Sequence, residues 1–327
     1  MKTLAATSVL STLLCGVTFA QVHRQKEPVD YVSPNIGTIG QLLTATLPYV
    51  QRPHGMARLA PITTPGIADR YLADKIYGFP AGSATLMASV GETGTRPEAY
   101  ASEFDHDFEI STPYYYSVDL LKWSIKAEFT ASEQAAYYRF TFPASAHAHL
   151  ALTLGNGSEL EVAGGDAIQG SQRISGPVGK IQETERETRE YFYLQFSRPI
   201  GSHKTWENGN PTGAEKQTGD NIGIVTDIAT TAGQQIEVRV GISYISTEQA
   251  RRNLEREIPK WTFDLVKSQT RATWNRALAG IDISGGTERQ RTIFYTALYR
   301  SLGRMTDITE DGRYFSGYDH AVHDARP

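Results

Sequence analysis

Acidic residues alternate along the segment 102–110, SEFDHDFEI, with Glu103, Asp105, Asp107 and Glu109 at every second position. Read as an extended strand, these four share one face and stand about 6.7 Å apart along the backbone, from a rise of roughly 3.3 Å per residue. Two carboxyls separated by roughly 6.5–9.5 Å are the equipment of an inverting glycosidase, one protonating the leaving oxygen and the other activating water. The same alternation suits the wet side of an edge strand, where charge blocks unwanted pairing, and that structural reading is the expectation here. Histidine pairs offer less. His147 and His149 would share a strand face, and His320 and His323 would suit one helical turn, but neither pair has further ligands nearby, so both read as surface features. No P-loop, dinucleotide fingerprint, nucleophile elbow or HExxH motif is present, which removes several enzyme classes.

The elements that would carry such groups are mostly strands. From Pro113 the pattern has period two: Tyr114, Tyr116, Val118 and Leu120, a short turn near Lys122, then Ile125, Ala127 and Phe129. Tyr138, Phe140 and Phe142 predict the next strand. Leu150, Leu152 and Leu154 predict another, ending at an Asn156-Gly157 turn signal. Tyr191, Tyr193 and Gln195, interleaved with Phe192, Leu194 and Phe196, predict a strand apolar on both faces; 222–225 and 236–242 complete the series. Many short strands without intervening helices imply a β-sandwich rather than a parallel sheet.

Helical patterning takes over at Ser246. Ser246 with Gln249 reads as a capping box for a helix stopped by Pro259. Thr262 is placed to cap a second helix, with Leu265, Val266, Trp274 and Leu278 as its apolar stripe and Gly280 at its end. After a strand-like 281–283 and Gly285-Gly286, a second box at Thr287 and Gln290 opens a third helix. Its stripe is expected at Phe294, Leu298 and Leu302, beside Ile293 and Ala297, with little after it to cover that face. The tail from Asp307 is polar, with turns at Asp311-Gly312 and Gly317, and the run QETERETRE at 182–190 reads as a solvated hairpin or helix face.

The segment from Tyr31 to Pro65 is a different object. Prolines at 34, 48, 53, 61 and 65 and glycines at 37, 40 and 55 exclude a long helix or a central strand. Its many apolar residues, among them Ile36, Leu47, Val50, Met56 and Leu59, are too numerous for a solvated linker. A long, ordered, partly buried loop of this kind often builds a binding site.

The wording of that loop, SPNIGT followed by TLPYVQRPHGMARLAP, closely resembles the opening of glycoside hydrolase family 92. The resemblance continues through YGF at 77–79, PYYYSVDLLKWSIKAEFTASEQAAYYRFTFP, VGISYISTEQARRNLEREIPKWTFDLVKSQTRATWNRAL, IFYTALYRSL and DGRYFSGYD, in family order. It implies a calcium-dependent, exo-acting α-mannosidase that inverts configuration, acting on mannose-containing glycans. It also implies a mainly β fold: a sandwich over 21–245, a helical linker over 246–284, and over 285–327 the start of a catalytic (α/α) toroid. The acid, the base and most calcium ligands are then expected beyond this chain, leaving no catalytic residue within it and a surface that packs on the toroid. Sugar contacts implied near the opening signature are Asn35, Thr38, Arg52, His54, Asp69, Arg70 and Tyr71, although Asp69 and Arg70 also suit a simple surface ion pair. Where many members carry a GFSHTH-like motif this chain has YGFPAGS, with Pro80, Ala81 and Gly82 replacing polar groups, which implies different sugar contacts. Two other readings fit the residues: a noncatalytic carbohydrate-binding sandwich, and an inactive remnant of an enzyme.

Composition sets the remaining bounds. Of 327 residues, 32 are Lys or Arg and 36 Asp or Glu, for a net charge of −4 and no basic stripe, so neither nucleic acid nor anionic membrane is expected as a partner. Lys2, an apolar run from Leu4 to Phe19, and Thr18 and Ala20 before Gln21 read as a signal peptide over 1–20, giving a secreted or periplasmic protein with no membrane span. Cys15 is the sole cysteine; a lipoprotein signal there is the competing reading, opposed by the bulk of Leu14. Cleavage at Ala20 would leave a chain without thiols or disulfides, stabilised by its core alone.

Overall fold

A computed structural model of the chain describes residues 26–40, 45–64, 69–92, 94–174 and 188–325. The signal-peptide reading and most of the 182–190 run lie outside them. Nineteen strands are described. The first ten are β1 (Ile62–Thr63), β2 (Lys75–Ala81), β3 (Ala84–Val90), β4 (Ser102–Glu103), β5 (Ile110–Thr112), β6 (Tyr115–Leu120), β7 (Ile125–Ala131), β8 (Ala135–Phe142), β9 (Ser145–Thr153) and β10 (Ser158–Val162). There follow β11 (Ala167–Arg173), β12 (Arg189–Phe196), β13 (Ser202–Glu207), β14 (Asn210–Pro211), β15 (Lys216–Gly219), β16 (Ile222–Thr230), β17 (Gln234–Ser243), β18 (Arg313–Ser316) and β19 (Ala321–Asp324). The α-helices are α1 (Pro97–Tyr100), α2 (Thr247–Glu257), α3 (Phe263–Leu278) and α4 (Glu288–Leu302).

Strand alternation sorts these into two sheets. One runs β1-β2-β3-β9-β16-β13-β14, with β4 beside β2; the other runs β15-β10-β11-β12-β17-β8-β7-β6-β5. Phe129 of β7 and the even-numbered aromatics of β8 turn inward to meet the first sheet, placing Phe79 of β2 5.6 Å from Phe129 and 6.1 Å from Phe140, ring centre to ring centre. This shared core makes the pair a β-sandwich, as the period-two pattern predicts. The Asn156-Gly157 turn is present but joins no hairpin: β9 belongs to one sheet and β10 to the other, so the turn carries the chain across the sandwich.

The second sheet is buried on its other face too. Tyr115, Tyr137 and Tyr193 point outward beneath Leu254 of α2 and Phe263 and Val266 of α3, which explains why β12 is apolar on both sides. Helix α2 approaches so closely that a Cβ on Gly241 of β17 would stand 2.0 Å from the Ala250 carbonyl oxygen. Only glycine admits that contact. The α2 cap is half of the expected box: Ser246 accepts from the Gln249 amide, while the Gln249 side chain turns to Asn253 and Asp311. Thr262 precedes α3 without a side-chain cap bond, whereas the Thr287–Gln290 box is complete.

Three helical expectations need correction. Leu265 is exposed, and Phe263, Val266, Trp274 and Leu278 form the buried face of α3. In α4 the fully buried residues are Tyr295, Thr296 and Tyr299; Phe294, Leu298 and Leu302 are only partly covered, and Ile293 is exposed. The helix turns its tyrosines inward because Val29 and Val32 of the segment before the long loop pack there with Trp274, and Arg271 of α3 clasps Glu27 and Asp30 at 2.5 and 2.7 Å. Residues 281–283 form no strand, yet Ile283 packs against this same cluster. Beyond α4, β18 and β19 form a hairpin anchored by the wholly buried Glu310, which accepts from the Tyr244 amide and the Asn253 side chain at 2.9 and 2.7 Å. His320 and His323 lie in that hairpin, not on a helical turn.

Candidate functional site

The long loop folds by its own short-range bonds. Residues 34–37 form a turn in which Gly37 adopts φ 91°, and the Thr38 hydroxyl and amide both donate to the Asn35 carbonyl, at 2.9 and 3.2 Å. Strapping bonds run from the Thr46 amide to Gly37 and from the Arg70 amide to Thr38, each to the carbonyl oxygen, at 2.7 and 2.9 Å. Val50 and Leu59 bridge further along, and both are buried against the sandwich core. The described parts of the loop are therefore ordered, as its apolar content predicts.

Facing it is the acidic segment. It does not form the predicted strand face: β4 ends at Glu103, and residues 106–108 make a 3-10 turn capped by Asp105, whose carboxylate accepts from the Asp107 amide at 2.9 Å. That capping bond competes with an extended ladder, and the turn divides the four acids. Glu103 pairs with Lys75 at 3.4 Å, whereas Asp107 and Glu109 turn toward the loop. Glu109 is held by His106 at 3.0 Å, and the other nitrogen of that ring lies 3.1 Å from the Ala73 carbonyl.

Between loop and turn lies a cavity of about 260 Å³. Asn35, Thr38 and Arg70 line it on one side and His106, Asp107 and Glu109 on the other, with Thr63 between and apolar contributions from Ile39, Leu47, Pro48, Pro61 and Phe104. Three of the seven residues expected to touch sugar are thus assembled. Arg52 and His54 are not among them. Arg52 reaches Thr270 of α3 and Glu133, and His54, at φ 61°, is fastened through its amide and ring to the carbonyls of Leu302 and Met305 at the end of α4. Both secure the loop to helices. Asp69 sits just before the turn holding Arg70 and does not line the cavity; the Tyr71 side chain is outside what the structure describes. Arg70 donates to the Thr63 hydroxyl at 3.1 Å. Pro80 and Ala81 belong to β2 and Gly82 to the β2–β3 turn, and none reaches the cavity.

Sequence reasoning missed His106, Asp107 and Glu109 as partners of the loop. The available signal was the Asp105-His106-Asp107 triplet, where a short side chain can cap a turn. A second cavity, of about 350 Å³, adjoins the first through Leu47 and Arg70 and is walled by residues 45–58 of the loop and the end of α4. The first histidine pair is taken up by other groups: His149 is sealed between the Thr226 and Gly91 carbonyls, and His147 faces Asp227. Among the described residues no three His, Cys, Asp or Glu groups converge to hold a metal ion. Nor is any described helix long and apolar enough to cross a membrane.

Comparison with known proteins places this geometry. Residues 31–243 match the family model for the glycosyl hydrolase family 92 N-terminal domain, and residues 249–326 match that for the family 92 catalytic domain. An uncharacterized secreted glycosidase of Arthroderma benhamiae is 27% identical over 232 residues, covering 60% of this chain and 29% of that protein. A family 92 α-mannosidase structure from Bacteroides thetaiotaomicron superposes with a TM-score of 0.83 at 23% identity, over 93% of this chain and 45% of the other. The structure of an inverting family 92 mannosidase from the same organism gives a TM-score of 0.82 at 26% identity, covering 92% and 44%. The chain therefore spans less than half the length of these relatives. With one family model covering most of its length and a second matching its helices, the chain belongs to glycosyl hydrolase family 92.

Proposed function

We propose that the protein is a glycoside hydrolase of the α-mannosidase type, exported from the cell, in which the sandwich supplies one wall of the pocket for a terminal mannose of a glycan. The observation that carries this reading is the assembly of Asn35, Thr38 and Arg70 opposite Asp107 and Glu109 in one cavity. Sugar hydroxyls need donors and acceptors held at fixed positions, and the pyranose C–H faces need apolar surface. Arg70 and the Asn35 amide can donate, the two carboxylates accept, and Phe104 with Pro48 and Pro61 supplies the apolar wall. Glu109 is fixed by His106 and so keeps its orientation without substrate.

Inversion requires an acid and a base on opposite faces of the scissile bond. In this reading both are supplied from outside residues 1–327, as are most calcium ligands, and the residues here bind and orient. The 327-residue chain alone is then expected to leave an aryl α-mannoside intact in a chromogenic assay. Measurable turnover would refute that division of labour and move the acid and base roles to Asp107 and Glu109.

A second reading is favoured by one feature: every residue lining this cavity lies between 35 and 109, so the cavity needs no further domain for its walls. A noncatalytic carbohydrate-binding sandwich would have that property. Calorimetric titration of the chain with mannose oligosaccharides separates the two, because a self-sufficient module binds alone and half a pocket does not.

A further inference from the structure

The ring of His106 meets two acceptors. Its Nδ1 lies 3.0 Å from a Glu109 carboxylate oxygen, and its Nε2 lies 3.1 Å from the Ala73 carbonyl oxygen. A neutral imidazole carries one N–H and presents a lone pair at its other nitrogen, so it satisfies one of these oxygens and repels the other. Both contacts are hydrogen bonds only when both nitrogens carry protons. Phe104 packs edge-on, 4.6 Å between ring centres, and narrows the freedom of the ring to turn away. The carboxylate needs a charged partner, because the Glu109 side chain is only 5% exposed. Tyr116 of β6 is also near Glu109, but burial and that carboxylate push its pKa well above the ordinary tyrosine value, so it stays a neutral phenol. Among the other charged neighbours, Arg70 donates to Thr63, Asp105 caps the turn and Lys75 pairs with Glu103. Asp69, Asp74 and Asp107 lie in the two segments that meet at the ring and add negative charge there. A proton shared by an imidazole and a carboxylate rests on the imidazole, whose ordinary pKa is about two units higher.

Resting on the glycosidase reading above, we propose that His106 is a positioning residue that ties the two walls of the sugar cavity together as an imidazolium. Ala73 directly follows the 3-10 turn Arg70–Leu72, part of the wall that donates, and Glu109 belongs to the wall that accepts. One ring therefore sets the spacing between the Arg70 guanidinium and the Glu109 carboxylate. When the second proton leaves, the remaining N–H stays with the carboxylate, whose charge makes the stronger bond, and Nε2 turns a lone pair toward Ala73. The consequence is one-sided: Glu109 keeps its place, and the turn bearing Arg70 is released.

Nitrogen NMR of the 327-residue chain, labelled in its histidine rings, tests this, the His106 signals being those lost in His106→Gln. At pH 6 both His106 nitrogens are expected to be protonated; on titration to pH 9, Nε2 should lose its proton and Nδ1 keep it. Over the same range hydrogen exchange of the Leu72 and Ala73 amides, corrected for its intrinsic pH dependence, should quicken about tenfold, the least that losing a bond to a charged group supplies, while the Glu109 amide is unchanged. In His106→Gln and His106→Arg, neither of which titrates in this range, exchange should be equal at both pH values, and slower in the arginine variant, a permanent cation. In a longer family 92 enzyme containing this chain, KM for an aryl α-mannoside should rise severalfold from pH 6 to pH 9 and stay level in His106→Arg. A bare ring nitrogen at pH 6, or exchange at 72–73 that ignores the proton, would overturn the tie. A KM with the same pH profile in parent and His106→Arg would overturn its role in holding sugar. Failure of the longer enzyme to cleave α-mannosides at any pH would overturn the glycosidase reading, and the ring proton and the exchange at 72–73 would still decide the tie.

Discussion

At the scale of single residues, Glu190 gives the fold a pH response of its own. It pairs with Gln172 at the start of β12, its carboxyl carbon 3.8 Å from where a Cβ on Gly82 would stand, and burial pushes its pKa from 4.5 up to about 7. Below pH 4.5 both folded and unfolded chains carry the proton, and the group costs nothing. As pH rises from 4.5 through 7 the unfolded chain ionises first, so folding stability falls across that window and stays lower above it. The ceiling on this loss is about 3 kcal/mol, from roughly 1.4 kcal/mol per pH unit, and residual solvent contact lowers it. Glu190→Gln should match the parent in thermal melting near pH 4 and exceed it by a few degrees at pH 8; an equal gain at both pH values would remove buried ionisation as the cause. None of this is legible in the sequence, where Glu190 ends a polar run and looks solvated. Arg52 and His54 show the opposite limit. Their residue types suit sugar as well as they suit helix anchoring, and only the three-dimensional placement of Thr270, Leu302 and Met305 decides between the two.

Secondary-structure elements were far more readable, because alternation and caps are local properties. Tyr116, Phe129, Tyr138, Phe140 and Phe142 face the shared core at the predicted parity, since a slip of one residue would turn every one of them out of it. The acidic segment failed for a reason equally local: alternation of charge gives no burial to reward an extended ladder, so Asp105 captured the Asp107 amide and made a turn. Helix faces were the least predictable, because α4 had two apolar stripes to offer and the choice fell to the partner that arrived, the segment at Val29 and Val32. Contact between elements gives its own prediction. Gly241→Ala would force α2 away from β17, since the new carbon would fall 2.0 Å from a helix carbonyl. Overpacking of this kind typically costs about 1–3 kcal/mol, and a rigid backbone on both sides places this case at the upper end. Denaturant unfolding should show it as a lowered midpoint, and an unchanged midpoint would mean that the helix is free to shift.

Across the whole molecule, Trp274 is where the loop, α3 and α4 meet. Its ring is fully buried 5.0 Å from that of Tyr299, and its indole N–H donates to the Gln51 carbonyl at 2.5 Å. Trp274→Ala is expected to cost about 3–5 kcal/mol and to release hydrogen-exchange protection across 288–302, which should be firm in the parent chain. Exchange that is fast in both would show that α4 is not covered as described. The loop from Tyr31 to Pro65 is pinned to residues some 250 positions later, by Arg300 to Pro34 and Leu47, by His54 to Leu302 and Met305, and by Tyr299 to Tyr49. Such contacts are among those of largest sequence separation between described residues and are expected among the last to form. During synthesis these anchors must therefore wait until Arg300 has been made, whereas Val50, Met56 and Leu59 need only the sandwich to be covered. Chaperone dependence and sensitivity to early proteolysis should concentrate in this stretch, and the cavity wall it forms becomes a late checkpoint that only a chain translated past α4 can pass.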